Sequence, residues 1–198
     1  MKKLSIILCS VALLYGCGDD ESIPASTTTL NQAQAEAVAD ALGAGLEGIP
    51  GVDTGNKLTI RAAQESYGPI EKQCDVSGTT TTSGKVTSNG TNANDFNIAF
   101  SSQNVFAACT EGLENSTDEI TLNGTISQSG SASGSQDSFT ITSKILGALD
   151  VTGTNITPGV CGIGLTFTIS ANSTAQTLSY SITGSVCGQE VNATGSIN

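Results

Sequence analysis

Histidine and tryptophan are absent from this 198-residue sequence, and aromatic residues make up only 4% of it. Without histidine, the chain cannot form Ser–His or Cys–His nucleophile pairs, nor zinc sites built on histidine. The Ser-x-x-Lys motif of penicillin-binding proteins and β-lactamases is absent as well. Any catalytic mechanism would depend on carboxylates, lysine, tyrosine or serine alone. We therefore predict that the protein is not an enzyme.

Basic residues are also scarce, because seven Lys and Arg stand against 18 Asp and Glu, which gives a net charge of −11. Proteins that bind nucleic acid use Lys and Arg to neutralise phosphates, so we predict no nucleic-acid partner. An anionic lipid surface would repel the chain as a whole. Any attachment to a membrane would therefore depend on acyl chains.

The apolar run near the N-terminus, Leu4 to Tyr15, is too short to cross a membrane. A spanning helix needs about 20 apolar residues, whereas the apolar region of a signal peptide has about 7 to 15. Lys2 and Lys3 precede the run, as is typical of signal peptides. We predict that residues 1–16 are a signal peptide.

The run ends in Leu14-Tyr15-Gly16-Cys17, which resembles the lipobox of bacterial lipoproteins. In that family, cleavage falls just before the cysteine, and the cysteine is lipidated. The resemblance implies that Cys17 becomes the diacylated first residue of the mature protein. It also implies that the protein's partner is a membrane, to which this lipid anchor attaches it. In enteric bacteria, an aspartate directly after the lipidated cysteine resembles an inner-membrane retention signal, and this sequence has Gly18 at that position. We therefore expect the protein to be lipid-anchored in the outer membrane, on either its periplasmic or its surface face.

Six cysteines are present, of which Cys9 lies in the signal peptide and Cys17 is the lipidation candidate. Four cysteines in an exported chain suit two disulfides, for which three connectivities are possible. A metal site is the alternative, but the chain lacks both histidine and a Cys-x-x-Cys pair. We predict disulfides and no metal. The four residues are Cys74, Cys109, Cys161 and Cys187.

After the signal peptide, residues 17–29 form the lipidated cysteine and an acidic, Ser-, Thr- and Pro-rich stretch that is typical of a flexible tether. Residues 30–198 then suit a single domain made of one helix and antiparallel strands. The helical periodicity runs from Leu30 to Ile49, with Thr28 or Thr29 placed to cap its start. Its apolar stripe comprises Leu30, Ala33, Ala37, Val38, Ala41, Leu42 and Leu46.

From Gly51 onward, apolar and polar residues alternate in short runs, which predicts half-buried strands. We count about ten or eleven such segments at spacings of about 8 to 15 residues. The predicted fold class is mainly β: an antiparallel curled sheet, barrel or sandwich preceded by one amphipathic helix. The clearest runs are Leu58/Ile60, Phe96/Ile98/Phe100, Phe139/Ile141, Ile163/Leu165/Phe167/Ile169 and Leu178/Tyr180/Ile182.

A short motif recurs in these strands, in which an apolar residue or Ala is followed by a polar residue, Gly, and Thr or Ser. Each Gly falls on the core face, which indicates a sharp bend or the close approach of another backbone. At Asn123-Gly124 we predict a continuous strand, whereas Asn89-Gly90 is predicted to be a turn. The copies contain Gly78, Gly124, Gly153, Gly184 and Gly195.

The last predicted hairpin constrains the disulfides. If Phe167 pairs with Tyr180 on one face, the residue numbers of every pair in this antiparallel hairpin sum to an odd number, and the hairpin closes at Ser173-Thr174. The numbers of Cys161 and Cys187 sum to an even number, so this register does not pair them. One extra residue at Gly184, a β-bulge, reconciles the two. We therefore predict the disulfides Cys161–Cys187 and Cys74–Cys109.

Two further patterns suggest chemistry. Gly43 to Gly48 matches the letters of a dinucleotide fingerprint, but it closes a helix instead of following a strand, so no cofactor is predicted. An acidic loop beside Cys109 is interpreted as solvated surface, with weak calcium binding as an alternative. A glycosidase would need two carboxylates about 5 to 10 Å apart. The loop residues are Glu111, Glu114, Asp118 and Glu119.

A second resemblance covers residues 74–127. Cys74 with Gly78, Phe106-x-x-Cys109 and Leu122-Asn123-Gly124 resemble a run found in uncharacterised Gram-negative envelope proteins. The resemblance implies an exported β-domain with a local disulfide and implies no activity.

These observations lead to two hypotheses. In the first, the protein is a cell-envelope lipoprotein with a non-enzymatic binding or structural role, and its partner is an envelope protein, a glycan or a lipid. In the second, it carries lipid or another apolar ligand inside a curled sheet. An interior left empty by the core-facing glycines would favour the carrier, and a filled core would favour the first hypothesis.

Overall fold

A computed structural model of the chain describes residues 22–43, 64–88, 95–113, 117–135 and 137–197. One helix precedes eight strands in these ranges. The helix is α1 (Gln32–Gly43). The strands are β1 (Gln64–Gln73), β2 (Ser77–Ser88), β3 (Phe96–Gly112), β4 (Glu119–Gly134), β5 (Ser138–Gly153), β6 (Gly159–Asn172), β7 (Thr177–Val186) and β8 (Gln189–Ile197).

The strands form one sheet in the order β1 to β8, and each strand pairs antiparallel with the next along the chain. The sheet is curled and unclosed, so β1 and β8 are its edges. The predicted mainly β class with one helix is confirmed. The strands are fewer and longer than predicted, because β3, β4 and β5 continue for 16 or 17 residues through Ser, Thr and Gly positions. The predicted Leu58/Ile60 run and the Asn89-Gly90 turn lie outside the described residues.

Helix α1 begins later than predicted. Asn31 caps it, because Asn31 Oδ1 accepts a hydrogen bond from the Gln34 backbone N–H and Gln34 Oε1 accepts one from the Asn31 N–H, both at 2.9 Å. This reciprocal pair is a capping box, and it replaces the predicted Thr28 or Thr29 cap. The buried stripe is shifted accordingly, with Ala33 exposed. Its fully buried members are Gln34, Ala35, Val38, Ala39 and Leu42.

The helix packs against β3, β7 and β8. Two side chains join it to the ends of strands: Gln32 Nε2 donates to the Glu190 carbonyl at 3.2 Å, and Gln34 Nε2 donates to the Thr154 carbonyl at 3.5 Å. No helix among the described residues is long and apolar enough to cross a membrane. The helix thus fills part of the space inside the curl of the sheet.

The inner face of the sheet forms the core, and five of its glycines lie under large side chains of the residues opposite. Phe100 lies directly opposite Gly130, and its ring occupies the space that a Cβ on Gly130 would need. Because a glycine has no side chain, the residue opposite can lie flat across it. The same arrangement pairs Tyr67 with Gly84, Leu149 with Gly124, Ile126 with Gly147, and Tyr180 with Gly195.

A β-bulge in β3 accounts for another glycine of the repeated motif. The register between β3 and β4 shifts between Phe106 and Cys109, and Ala108 has a φ of +47°. A Cβ on Gly78 would collide with the Ala108 carbonyl, so this glycine marks a close backbone approach, as predicted. Asn123 Oδ1 accepts a hydrogen bond from the Ala108 N–H at 2.7 Å. The predicted continuous strand at Asn123-Gly124 is also confirmed.

Both predicted disulfides are present, Cys74–Cys109 and Cys161–Cys187. The register that led to the second was wrong in detail. Phe167 pairs with Ile182, two residues from the predicted partner, and the β6–β7 pairing is continuous through Gly184 without a bulge. The change of direction occurs at Cys187 itself, which forms a two-residue turn with Gly188, with φ values of +50° and +80°. Positive φ at both positions is typical of a type I′ hairpin, which leaves Cys187 beside Cys161.

Candidate functional site

The segment before α1 is attached to β6, although it was predicted to be part of a flexible tether. The Thr27 N–H donates to the Val160 carbonyl at 2.8 Å, and the Val160 N–H donates to Thr27 Oγ1 at 2.9 Å. The Gly162 N–H donates to Ser26 Oγ at 2.9 Å. β7 ends opposite Ile163, so the first residues of β6 have a free edge on that side, which this segment occupies.

Two glycines on the outer face of β6 make room for the segment. A Cβ on Gly162 would collide with the Pro24 carbonyl, and one on Gly164 would collide with the Ile23 side chain. The chain therefore lies across the outer face of β6 at Ile23 and turns around its edge toward the core, where Thr28 is buried. We call residues 22–28 the N-terminal clamp. The folded domain thus includes residues that the predicted boundary at 29/30 assigned to the tether.

The Cys74–Cys109 disulfide lies among polar groups. Thr80 Oγ1 is 3.5 Å from Cys74 Sγ and 3.6 Å from Cys109 Sγ. Glu111 Oε1 is 3.3 Å from Cys109 Sγ. Burial, followed by the charge of the Asp75 carboxylate, raises the pKa of Glu111, while the Asp75 backbone N–H and the Lys72 ammonium act in the opposite direction. The carboxyl group of Glu111 thus belongs to a small charged cluster at one end of the sheet.

This cluster lacks the geometry of the catalytic and metal sites considered from the sequence. The side chains of Glu111 and Asp75 lie within hydrogen-bonding range, whereas a glycosidase holds its two carboxylates about 5 to 10 Å apart on either side of a bond. The sulfurs of Cys74 and Cys109 lie within 4.8 Å of a Glu111 oxygen. They are bonded to each other, however, and a metal would need them as thiolates.

The predicted acidic loop does not come together as one site in the described residues. Glu119 is exposed, and its backbone N–H donates a hydrogen bond to Thr154 Oγ1 at 3.3 Å. The Asp118 backbone carbonyl accepts a hydrogen bond from the Leu113 N–H at 3.0 Å. Cys17, Glu114 and the part of the glycine-rich pattern after Gly43 lie outside the described residues.

A row of polar side chains, which was not among the predicted sites, crosses the buried inner face. Thr82 Oγ1 donates to Asn104 Oδ1 at 2.7 Å, and Asn104 Nδ2 donates to Gln128 Oε1 at 3.2 Å. Gln128 Nε2 then donates to Ser143 Oγ at 3.0 Å. All four residues are at most 6% exposed. The signal was available, because Asn104 and Gln128 fall on the core parity of β3 and β4.

Tyr67 lies beside this inner polar row, over Gly84. Burial raises the pKa of its phenol, and the nearby Ser102 hydroxyl acts in the opposite direction. Neither the Tyr67 hydroxyl nor the Ser88 hydroxyl has a hydrogen-bond partner among the described residues. The inner face of β1 and β2 is therefore more polar and less completely paired than the rest of the core.

The outer face of β4 to β8 carries two aligned rows made entirely of Ser and Thr. We call them the outer hydroxyl face. Each row has five residues, one from each strand, set opposite one another by the strand register. Neighbouring positions are about 4.8 Å apart across strands. The rows are Ser131/Thr142/Thr168/Ser181/Thr194 and Ser133/Thr140/Ser170/Ser179/Ser196.

No protein-family model, no curated protein and no solved structure matches this chain. The functional assignment must therefore rest on the sequence motifs and on the geometry described above.

Proposed function

We propose that this protein is a lipid-anchored protein of the bacterial cell envelope with a non-enzymatic binding or structural role. The lipobox-like sequence ending in Cys17 supports the anchor. The two disulfides support an oxidising compartment, because disulfides persist in exported proteins.

The filling of the core is the observation that favours a binding or structural role over a ligand carrier. Five inner glycines lie beneath the large side chains opposite them, so the missing side chains leave no corresponding space. Helix α1 adds Val38 and Leu42 to the same core. A domain whose inner face is occupied by its own side chains acts through its surface. The regions available to contact partners are then the outer face, the sheet edges and the N-terminal clamp.

Lipidation can be tested on the complete chain, expressed with its own leader in a Gram-negative host. We expect the purified protein to begin at Cys17 with a mass increased by acyl chains, and to enter the detergent phase on partitioning. The matched control is Cys17→Ala, which keeps every residue of the domain. A wild-type protein without acyl mass, or a Cys17→Ala variant that carries the same acyl mass, would refute the anchor.

The carrier is kept as a second candidate because of the inner face near the β1 edge. Ile70 is paired with the inner-facing Thr82, yet it is 40% exposed. The buried Tyr67 and Ser88 hydroxyls lie on the same face without partners among the described residues. Native mass spectrometry of gently purified Cys17→Ala protein tests this candidate. A bound apolar mass that exchanges with added lipid would support the carrier, and a clean apo mass would support the surface role.

A further inference from the structure

The N-terminal clamp determines where the lipid anchor leaves the domain. Ile23 lies over Gly164 on the outer face of β6, and from Ile23 to Thr27 the chain runs toward the start of that strand. The described part of the chain therefore begins, at Ser22, on the outer face near the middle of β6. A tether that joined the domain at Leu30, as first predicted, would have reached it at the end of the sheet beside Thr157.

The connection between this point and the proposed anchor is short. Four residues separate Cys17 from Ser22, and a fully extended chain covers at most about 3.5 Å per residue, or about 18 Å between these two α-carbons. Along β6, Thr168 and Ser170 of the outer hydroxyl face lie four and six residues beyond Gly164, which is about 13 to 20 Å. The extended connection from Cys17 to Ser22 is thus about as long as the distance along β6 from Gly164 to this face, so an acyl group on Cys17 can lie next to the face.

The charge distribution makes the same face suitable for a lipid surface. The chain carries a net charge of −11, yet the outer hydroxyl face contains no charged residue. The adjoining outer row contains Lys144 between Ser129 and Thr166, and no acidic residue. An anionic bilayer would repel most of this protein, including Asp19, Asp20 and Glu21 in the connection to Cys17, but it would not repel this face. Short hydroxyl groups can also donate hydrogen bonds to phosphate and ester oxygens.

We propose that the outer hydroxyl face lies against the lipid headgroups of the membrane in which Cys17 is anchored. This inference rests on the proposed lipid anchor and adds an orientation to it. In this orientation the outer face of β5 to β8 lies toward the bilayer, and β2 lies four strands from β6 in the curled sheet. The charged cluster at Glu111 and the β1 edge remain accessible to other molecules.

The absence of tryptophan allows a direct test on the complete lipidated protein. Ser179→Trp places a single indole on the outer hydroxyl face, and Ser83→Trp places one on the outer face of β2 as the matched control. Both serines are exposed. In vesicles of phosphatidylethanolamine and phosphatidylglycerol with brominated acyl chains, we expect quenching to be several-fold stronger for Ser179→Trp. Equal quenching, or stronger quenching of Ser83→Trp, would overturn the proposed orientation.

Two further variants separate this inference from the anchor itself. Thr168→Glu adds a negative charge to the face and should reduce the quenching of Ser179→Trp on these anionic vesicles, while the protein still floats with them. Unchanged quenching would count against the docking. In the Ser179→Trp background, Cys17→Ala protein from which residues 1–16 have been removed should lose both flotation and quenching. If it floats as the lipidated protein does, the anchor is wrong, whereas flotation of the lipidated protein without selective quenching refutes only the orientation.

Discussion

Gly130 shows how single residues determine the packing of this core. A Cβ at this position would collide with the Thr142 carbonyl oxygen, and it would approach Phe100 Cζ to 2.5 Å and Ser143 Cα to 2.9 Å. The backbone φ is not in the left-handed region, so any cost of an added methyl comes from this crowding. Overpacking a core by a methyl group typically costs about 1 to 3 kcal/mol.

We therefore expect Gly130→Ala to lower the free energy of unfolding by about 1 to 3 kcal/mol in urea titrations. Gly112→Ala is the matched control, since it lies in another strand and its nearest neighbour beyond the adjacent residues would be Val76 Cγ2 at 3.9 Å. Adding Phe100→Leu to Gly130→Ala should cost less than the sum of the two single changes. Equal losses for Gly130→Ala and Gly112→Ala would contradict the proposed covering of glycine by Phe100.

Glu111 introduces a pH dependence at the residue scale. Burial and Asp75 raise the pKa of its carboxyl group above the ordinary value. A raised pKa means that the folded state favours the protonated acid. The corresponding stability is present below the unfolded-state pKa and is lost as the pH rises through the folded-state pKa.

Glu111→Gln should remove this loss, because the amide stays neutral at every pH. We expect the variant to gain stability relative to wild type between pH 4 and pH 7, measured by urea unfolding at both values. Glu119→Gln changes an exposed carboxylate in the neighbouring strand and is the control. A pH-independent difference for Glu111→Gln, or the same trend for Glu119→Gln, would argue against this assignment.

At the scale of elements, the inner polar row joins β2, β3, β4 and β5. Gln128 is its central member, because it accepts from Asn104 and donates to Ser143 while only 1% exposed. Replacing it by Leu keeps a similar volume but leaves both partners buried without their hydrogen bonds, at about 1 to 3 kcal/mol for each such group.

We expect Gln128→Leu to lower the free energy of unfolding by about 2 to 6 kcal/mol. Gln103→Leu is the control, since Gln103 lies in the adjacent row position on the exposed face. Urea unfolding of the two variants measures the difference. A Gln128→Leu protein as stable as wild type would show that the row contributes nothing to stability.

The N-terminal clamp is a second element whose role can be tested separately. Gly162→Ala would place a methyl group against the Pro24 carbonyl, whereas Gly164→Ala meets only the flexible end of the Ile23 side chain. We expect Gly162→Ala to speed hydrogen exchange at the Thr27 and Thr28 amides by more than tenfold, and Gly164→Ala to have a smaller effect. Exchange that is unchanged in both variants would refute the clamp.

These elements also show what a single sequence can predict. Alternation along β3 to β8 predicted the strands, because only one face of each is buried. The parity of Cys161 and Cys187 correctly indicated a departure from regular pairing, but the β-bulge predicted at Gly184 was wrong, because a hairpin turn at Cys187-Gly188 takes its place. Its location could not be predicted, since Cys187-Gly188 carries none of the usual hairpin residues before the glycine. The clamp was missed because Gly162 and Gly164 have meaning only once the segment that covers them is placed.

At the scale of the whole molecule, the two disulfides tie different parts of one sheet. Cys74–Cys109 closes a separation of 35 residues and Cys161–Cys187 one of 26. Chain entropy assigns about 3 to 4 kcal/mol to each and a difference of only about 0.3 kcal/mol in favour of the longer loop. Packing favours the other bridge, because Cys161 and Cys187 are both buried whereas Cys74 is half-buried.

We therefore expect Cys161→Ala/Cys187→Ala to lose more stability than Cys74→Ala/Cys109→Ala, although its loop is shorter. Both double variants should lose about 3 to 4 kcal/mol from chain entropy, and the Cys161/Cys187 variant should lose the packing of two buried sulfurs in addition. Its Thr27 and Thr28 amides should also exchange faster, because the Cys187 N–H donates to the Gly162 carbonyl beside the clamp. Guanidinium unfolding under non-reducing conditions ranks the variants. A larger loss for Cys74→Ala/Cys109→Ala would mean that loop length, not packing, determines what each bridge contributes.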